Sequence, residues 1–301
     1  MSIPAESPRP LETGPVEPAP APARPNVSVF SLAIRHPSIM IGGILLLIMS
    51  MIAIAGPFLT VDPIAIHPIN RLKVPSSLDW FGSDYLGRDV FARVIHGARI
   101  SLVVGLAVAI VAVSVGLVVG LLAGYIRALE AIIMRIMDGL MAIPGILLAI
   151  AMISLSGATL GTVIIAIVIP EIPRVVRLVR SVVLTVREEP YVEAAIASGT
   201  RLPLILIRHI LPNTIAPMIV QATYICGSAM LTESILGFLG AGIPPEIPSW
   251  GNIMSEGRTY FQISPWIIFY PGIALALTVL SVNILGDGLR DTLDPRIARK
   301  M

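Results

Sequence analysis

The sequence predicts an all-α, polytopic membrane protein with about six transmembrane helices. Three observations carry that prediction. Of 301 residues, 55% are hydrophobic and 13% charged, whereas a soluble domain carries about 25% charged residues. Mean hydropathy is +0.87. Several apolar runs approach the roughly 20 residues that cross a bilayer. A net charge of +2 argues against nucleic acid as a partner and leaves the lipid membrane as the surroundings. The single cysteine, Cys226, excludes an intrachain disulfide.

Residues 1–27 are rich in Pro, Ala and Glu and lack the basic start and apolar centre of a signal peptide. They read as a disordered cytosolic tail. Segment 28–99 divides into a first span, an extracytoplasmic loop and an amphipathic helix. The span, 38–59, carries no charge, and Asp62 and Pro63 follow it. Over 87–99, Val90, Phe91, Val94, Ile95 and Ala98 form one helical face, with Asp89, Arg93 and His96 on the other. Such a helix is expected to lie in the membrane interface.

Segment 100–301 is the transmembrane core. The second span, 101–125, carries Gly116, Gly120 and Gly124 on one face, a pattern for close helix packing. A short polar turn with Arg127, Glu130, Arg135 and Asp138 leads to a third span, 139–155, which Pro144 should kink. The fourth span starts at Leu160, and its apolar run ends at Pro170. It either continues as helix beyond Arg174 or is re-entrant. The fifth and sixth spans are expected at 214–235 and 266–285, separated by a Gly/Pro-rich section, 237–265. The segment 286–291 and the basic end Arg296, Arg299 and Lys300 follow.

Positive charge orients these spans. With both termini cytosolic, 15 of the 21 Lys and Arg residues fall on the cytosolic side. That excess matches the inside bias of basic residues. The same orientation puts residues 188–213 in the cytosol.

This 188–213 stretch is a polar-edged island between apolar runs. Ala194, Ala195 and Ala197 are strong helix formers of little bulk, and Gly199 permits a left-handed backbone where a first short helix stops. Thr200 suits an N-cap, Pro203 fits the first turn of a second short helix, and Pro212 is expected to close the unit. Small residues beside the Glu193 carboxylate suit a knob pressed into a groove on another protein. The plainer alternative is a loop joining two membrane helices.

Glu193-Ala194-Ala195, then Gly199, then Leu211-Pro212 resembles the EAA loop of bacterial ABC-importer permeases. The general pattern has Ile where this chain has His209. The run His209-Ile210-Leu211-Pro212-Asn213 is similar to the dipeptide/oligopeptide/nickel branch of those permeases. Segments 82–102, 174–217, 233–258 and 286–296 also resemble that branch, in the right order. The resemblance implies a type I ABC importer permease fold and the C-type subunit of a bacterial inner-membrane importer for di- or oligopeptides. It equally covers nickel, glutathione and opines. Implied partners are a homologous permease subunit in a heterodimer, two cytosolic ATPase subunits and an extracytoplasmic solute-binding protein. Glu193, Ala194, Ala195, Gly199, His209, Leu211 and Pro212 would form the coupling element that docks on the ATPase.

The residues carry no competing chemistry. The four histidines are scattered, no metalloprotease or nucleophile-elbow spacing occurs, and neither lysine lies in a phosphate-binding loop. No catalytic residue, metal ligand or cofactor is therefore assigned, and ATP hydrolysis is expected in another polypeptide. Four polar residues in the spans are pathway or gating candidates: Glu171, Glu233, Gln221 and Asn283. Glu171 is either a helix-end carboxylate paired with arginine or part of a solute path. Glu233 is either structural, gating or in contact with solute. Gln221 and Asn283 either face a pore or bond between helices. A motor-independent channel or secondary transporter is the rival class, but it calls for inverted repeats with paired broken helices, and the Pro-interrupted fourth span has no matching partner.

Overall fold

The structure is a computed structural model and describes residues 36–77 and 79–293. The tail expected at 1–27 and the basic residues Arg296, Arg299 and Lys300 lie outside the described residues. The architecture is all-α. In chain order the helices are α1 (Pro37–Leu59), α2 (Val90–Tyr125), α3 (Arg127–Ala142), α4 (Gly145–Ser156), α5 (Leu160–Val186) and α6 (Pro190–Ala197). They continue with α7 (Leu202–Ile205), α8 (Leu211–Phe238), α9 (Trp250–Gly257) and α10 (Trp266–Leu293). A π-helical turn, Leu206–Ile210, joins α7 to α8 without a break.

Four helical stretches are long and apolar enough to span a bilayer: α1, α2, α10 and the continuous run Leu202–Phe238. A fifth is the pair α3 and α4, bent by 86°. The remaining long helix, α5, has 27 residues, about 40 Å. Glu171, Arg174, Arg177 and Arg180 recur along it and make it less apolar than the others. Four spans, or five with the bent pair, are therefore apolar enough to cross, against the six expected.

Helix α2 is central. Its glycine face lies on α5: a Cβ added at Gly116, Gly120 or Gly124 would come 2.5, 2.7 or 2.6 Å from the Cβ of Val175, Val179 or Val183. Hydrogen at these three positions is what lets the two backbones approach, as the four-residue spacing predicted. The packing buries Val175, Val179 and Val183 completely, together with Val104, Val108 and Ala112 of α2. A second buried cluster joins α1, the start of α2, α9 and α10 through Met49, Val90, Trp250 and Ile267.

Several expected boundaries move. The 87–99 segment is no separate interfacial helix; α2 begins at Val90 and runs on unbroken to Tyr125, and residues of both proposed faces are buried. Val90 and Arg93 are 0% and 1% exposed. Arg93 is tolerated there because carboxylates meet it, which a pattern of polarity alone does not reveal. Asp89 caps the helix by accepting a hydrogen bond from the Phe91 N–H at 2.9 Å. The expected polar turn at 127–138 is helix α3. The third span does not run straight over 139–155, because Pro144 ends α3 rather than kinking it. By contrast α5 continues through Pro170 and Pro173, so the re-entrant alternative for the fourth span does not hold. Those prolines remove two N–H donors, and the valine–glycine seam keeps the helix in place. Finally, α10 extends to Leu293, beyond the expected end at 285.

Candidate functional site

Helix α6 begins with Pro190, whose fixed φ and missing N–H suit a first turn. It ends in a Schellman motif: the Thr200 N–H donates to the Ala195 carbonyl at 3.1 Å, and the Gly199 N–H to the Ile196 carbonyl at 2.9 Å. Gly199 has φ +77, as its position predicted. Thr200 therefore serves this termination, and Arg201 takes the N-cap position of α7 without a side-chain bond. That replaces the expected Thr200 cap.

The face of α6 presented to solvent is small and apolar around one carboxylate. Glu193, Ala194, Ile196 and Ala197 are exposed, Ala195 is half-buried, and Val192 is buried. Val192 joins the buried cluster that also holds Ile205, Ile210 and Val186. Its side chain thus anchors a protruding helix to the body. A polar tie does the same work at the surface, since Asn213 Nδ2 donates to Tyr191 Oη at 3.2 Å and to the His209 carbonyl at 2.7 Å.

Pro212 does not close the unit. Its ring would clash with the carbonyl of Arg208, four residues earlier, in a regular α-helix. The π turn immediately before it widens the spiral, and the Leu211 N–H bonds back to the Leu206 carbonyl. The chain therefore passes from the short α7 into the long α8 through His209, Leu211 and Pro212 as one continuous rod. Helix α6 lies outside this rod and is tied to it by the Tyr191–Asn213 hydrogen bond and by Val192.

The four pathway candidates fall in three places. Gln221 and Asn283 line one pocket of about 210 Å³, together with Asp287 and Arg290. Glu171, on α5, accepts from Arg174 Nη1 at 3.0 Å and from Ser228 Oγ of α8 at 3.4 Å. Glu233 is 0% exposed and accepts from Ser101 Oγ at 3.2 Å, which ties α8 to α2.

Sequence reasoning missed a buried charge cluster joining the 60–89 loop, α2 and α9. Asp84 Oδ2 accepts from Arg88 Nε at 2.6 Å and from Arg93 Nη1 at 2.7 Å. Arg93 Nη2 reaches Glu256 Oε1 at 3.1 Å, and Arg88 also pairs with Glu256. Two cations and two anions balance. A run of like-spaced charges in the segment was its only local signal, and Glu256 is 163 positions from Arg93.

Residues 116–299, which include α6, the π turn and α8, match the family described as binding-protein-dependent transport system inner membrane component. The chain belongs to that family. Relatives in this transport-component group are similar along most of the chain. A probable peptide ABC transporter permease protein of Sinorhizobium fredii is 56% identical over 273 residues, 91% of this chain and 94% of its own. A dipeptide transport system permease protein of Alkalihalophilus pseudofirmus is 44% identical over 260 residues, 86% of each chain. A glutathione transport system permease protein of Pectobacterium atrosepticum is 40% identical over 265 residues, 87% of this chain and 88% of its own. The inner-membrane component is thus a multi-pass membrane protein, and its part in the system is transport across the membrane.

Proposed function

We propose that this chain is a permease subunit of an ATP-driven importer for di- or oligopeptides, with nickel, glutathione or opines as the alternative solutes of the same branch. Two relatives named for peptide or dipeptide transport, at 56% and 44% identity, support that substrate class. The observation that carries the mechanism is the exposed helix α6, stopped at Gly199 and tied to α8 by the Tyr191–Asn213 hydrogen bond. Glu193, Ala194 and Ala195 form the contact with a cytosolic ATPase subunit. Gly199 ends the knob, and His209, Leu211 and Pro212 pass its displacement to the membrane helix. A second, homologous permease completes the pathway, two ATPase subunits drive it, and an extracytoplasmic binding protein supplies the solute. Both termini are cytosolic in this arrangement, and α5 is the fourth of six crossings. Coupling requires the ATPase to contact the two permease states with different free energies.

The test is crosslinking from a single cysteine at Ala197 with Cys226 replaced by serine. The expected result is capture of a Walker-type ATPase and labelling only from the cytosolic face. Labelling from the outer face with no ATPase captured overturns both the orientation and the coupling role.

A further inference from the structure

Helix α5 has two unlike faces. Val175, Val179 and Val183 seat on the glycines of α2, while Arg174 and Arg177 keep 47% and 44% of their side chains exposed. The depth of that second face decides what it can border. Gly116, which meets Val175, lies about 24 Å along α2 from Ile100 and about 14 Å from Tyr125. Val175 packs at that point, so Arg174 sits level with the stretch of α2 that is long and apolar enough to cross a bilayer about 30 Å thick. Exposed guanidinium groups at that depth do not face lipid; they border water or another protein surface.

Arg174 opens onto a cavity of about 400 Å³ between the Pro144 bend, α5 and α8. The cavity falls within the about 300–1,000 Å³ of small-molecule sites. Glu171, Arg174, Ser228 and Thr232 are its polar lining; Pro144, Pro170 and Ile167 supply apolar wall. Glu171 is 8% exposed and holds Arg174 through one guanidinium nitrogen, at 3.0 and 3.1 Å to its two oxygens.

We propose that this cavity receives the charged ends of a short zwitterionic peptide during passage, Glu171 taking the ammonium and Arg174 the carboxylate. The assignment rests on the peptide-importer reading above. An ion pair within a membrane protein is tolerable while it stays neutral. A zwitterion replaces each partner's counter-charge at once, so the exchange leaves no net charge in the hydrocarbon layer. A solute lacking one end leaves one partner unpaired. Ser228 and Thr232 supply hydroxyls that bond to either solute end.

The test uses the assembled transporter in proteoliposomes with its binding protein. For Glu171→Gln, kcat for a free dipeptide should fall about tenfold, while kcat for the N-acetylated dipeptide and ATPase stimulation by the binding protein stay near parental. Arg174→Gln should show the matching pattern with C-amidated dipeptide. Thr232→Cys with Cys226→Ser should react with a membrane-impermeant methanethiosulfonate, and free dipeptide should slow that reaction. Equal losses for free and capped dipeptides overturn the site, as does an inert Thr232→Cys beside a reactive Ala197→Cys control. Either result leaves uptake itself, and hence the importer reading, standing. Loss of all uptake, with the ATPase not captured at Ala197, defeats the importer reading instead.

Discussion

Gly199 shows how one backbone angle shapes the proposed contact. An added Cβ there meets nothing within 4 Å, so only the left-handed backbone, φ +77, resists substitution. Asn tolerates that region better than other residues with a side chain, whereas Pro is locked out of it. Uptake is therefore expected to survive Gly199→Asn and to be lost in Gly199→Pro, with ATPase activity uncoupled and membrane insertion intact. Comparing uptake with ATP hydrolysis in the same vesicles checks this; full uptake in the proline variant rules the lever out. Asp89 offers a pH test outside the membrane spans. Burial raises its carboxyl pKa, against the lowering effect of the Phe91 and Ala92 N–H groups. The folded state then holds the proton more tightly, so stability is greatest in acid and falls as pH rises through the raised value. Asp89→Asn keeps a capping oxygen and removes that fall. Its melting temperature should equal or exceed the parent's at neutral pH, and the difference should vanish in acid. An unchanged difference across that range would show that this titration is not linked to folding.

At the scale of elements, the α2–α5 seam makes the sharpest demand. Gly120→Leu would drive its side chain into Val179, whose Cβ lies 2.7 Å from an added Cβ. The expected outcome is a marked loss of folded protein, since overpacking costs about 1–3 kcal/mol. Gly120→Ala paired with Val179→Gly, which removes the clashing Cβ, should recover much of the yield of Gly120→Ala alone, because neighbouring positions couple. Detergent-solubilised yield on a sizing column measures both; independent, additive losses would mean the seam is not the contact that matters. The spacing of Gly116, Gly120 and Gly124 made one side of this seam visible in advance. Its partner was not visible, because valines at four-residue spacing suit any buried helix face.

At the scale of the whole molecule, the Asp84–Arg88–Arg93–Glu256 cluster holds the first loop, α2 and α9 together. Removing one partner leaves a buried charge without its mate, which costs about 3–5 kcal/mol. Asp84→Asn should therefore lower the thermal midpoint strongly, whereas replacing Asp84 and Arg93 together by Leu and Met should cost less. Tryptophan fluorescence during heating reports this, because Trp250 is buried beside α2 and its Nε1 donates to the Val94 carbonyl at 3.0 Å. A double variant as unstable as the single one would show that the cluster contributes more than charge balance.

Composition and apolar run length by themselves determined the class, an all-α polytopic membrane protein, because water and hydrocarbon sort residues without reference to any neighbour. Local backbone chemistry likewise determined the Gly199 stop and the small-residue knob around Glu193. Only the tertiary structure decided that Arg93 is buried and that α5 continues past two prolines. In both cases the deciding partner is remote in sequence: Glu256 for Arg93, Gly116 for Val175. Pro212 continues a rod because of the π turn just before it. Charge and proline carry a local cost that any reader of the chain can see. Whether that cost is met depends on groups that only the folded chain brings within reach.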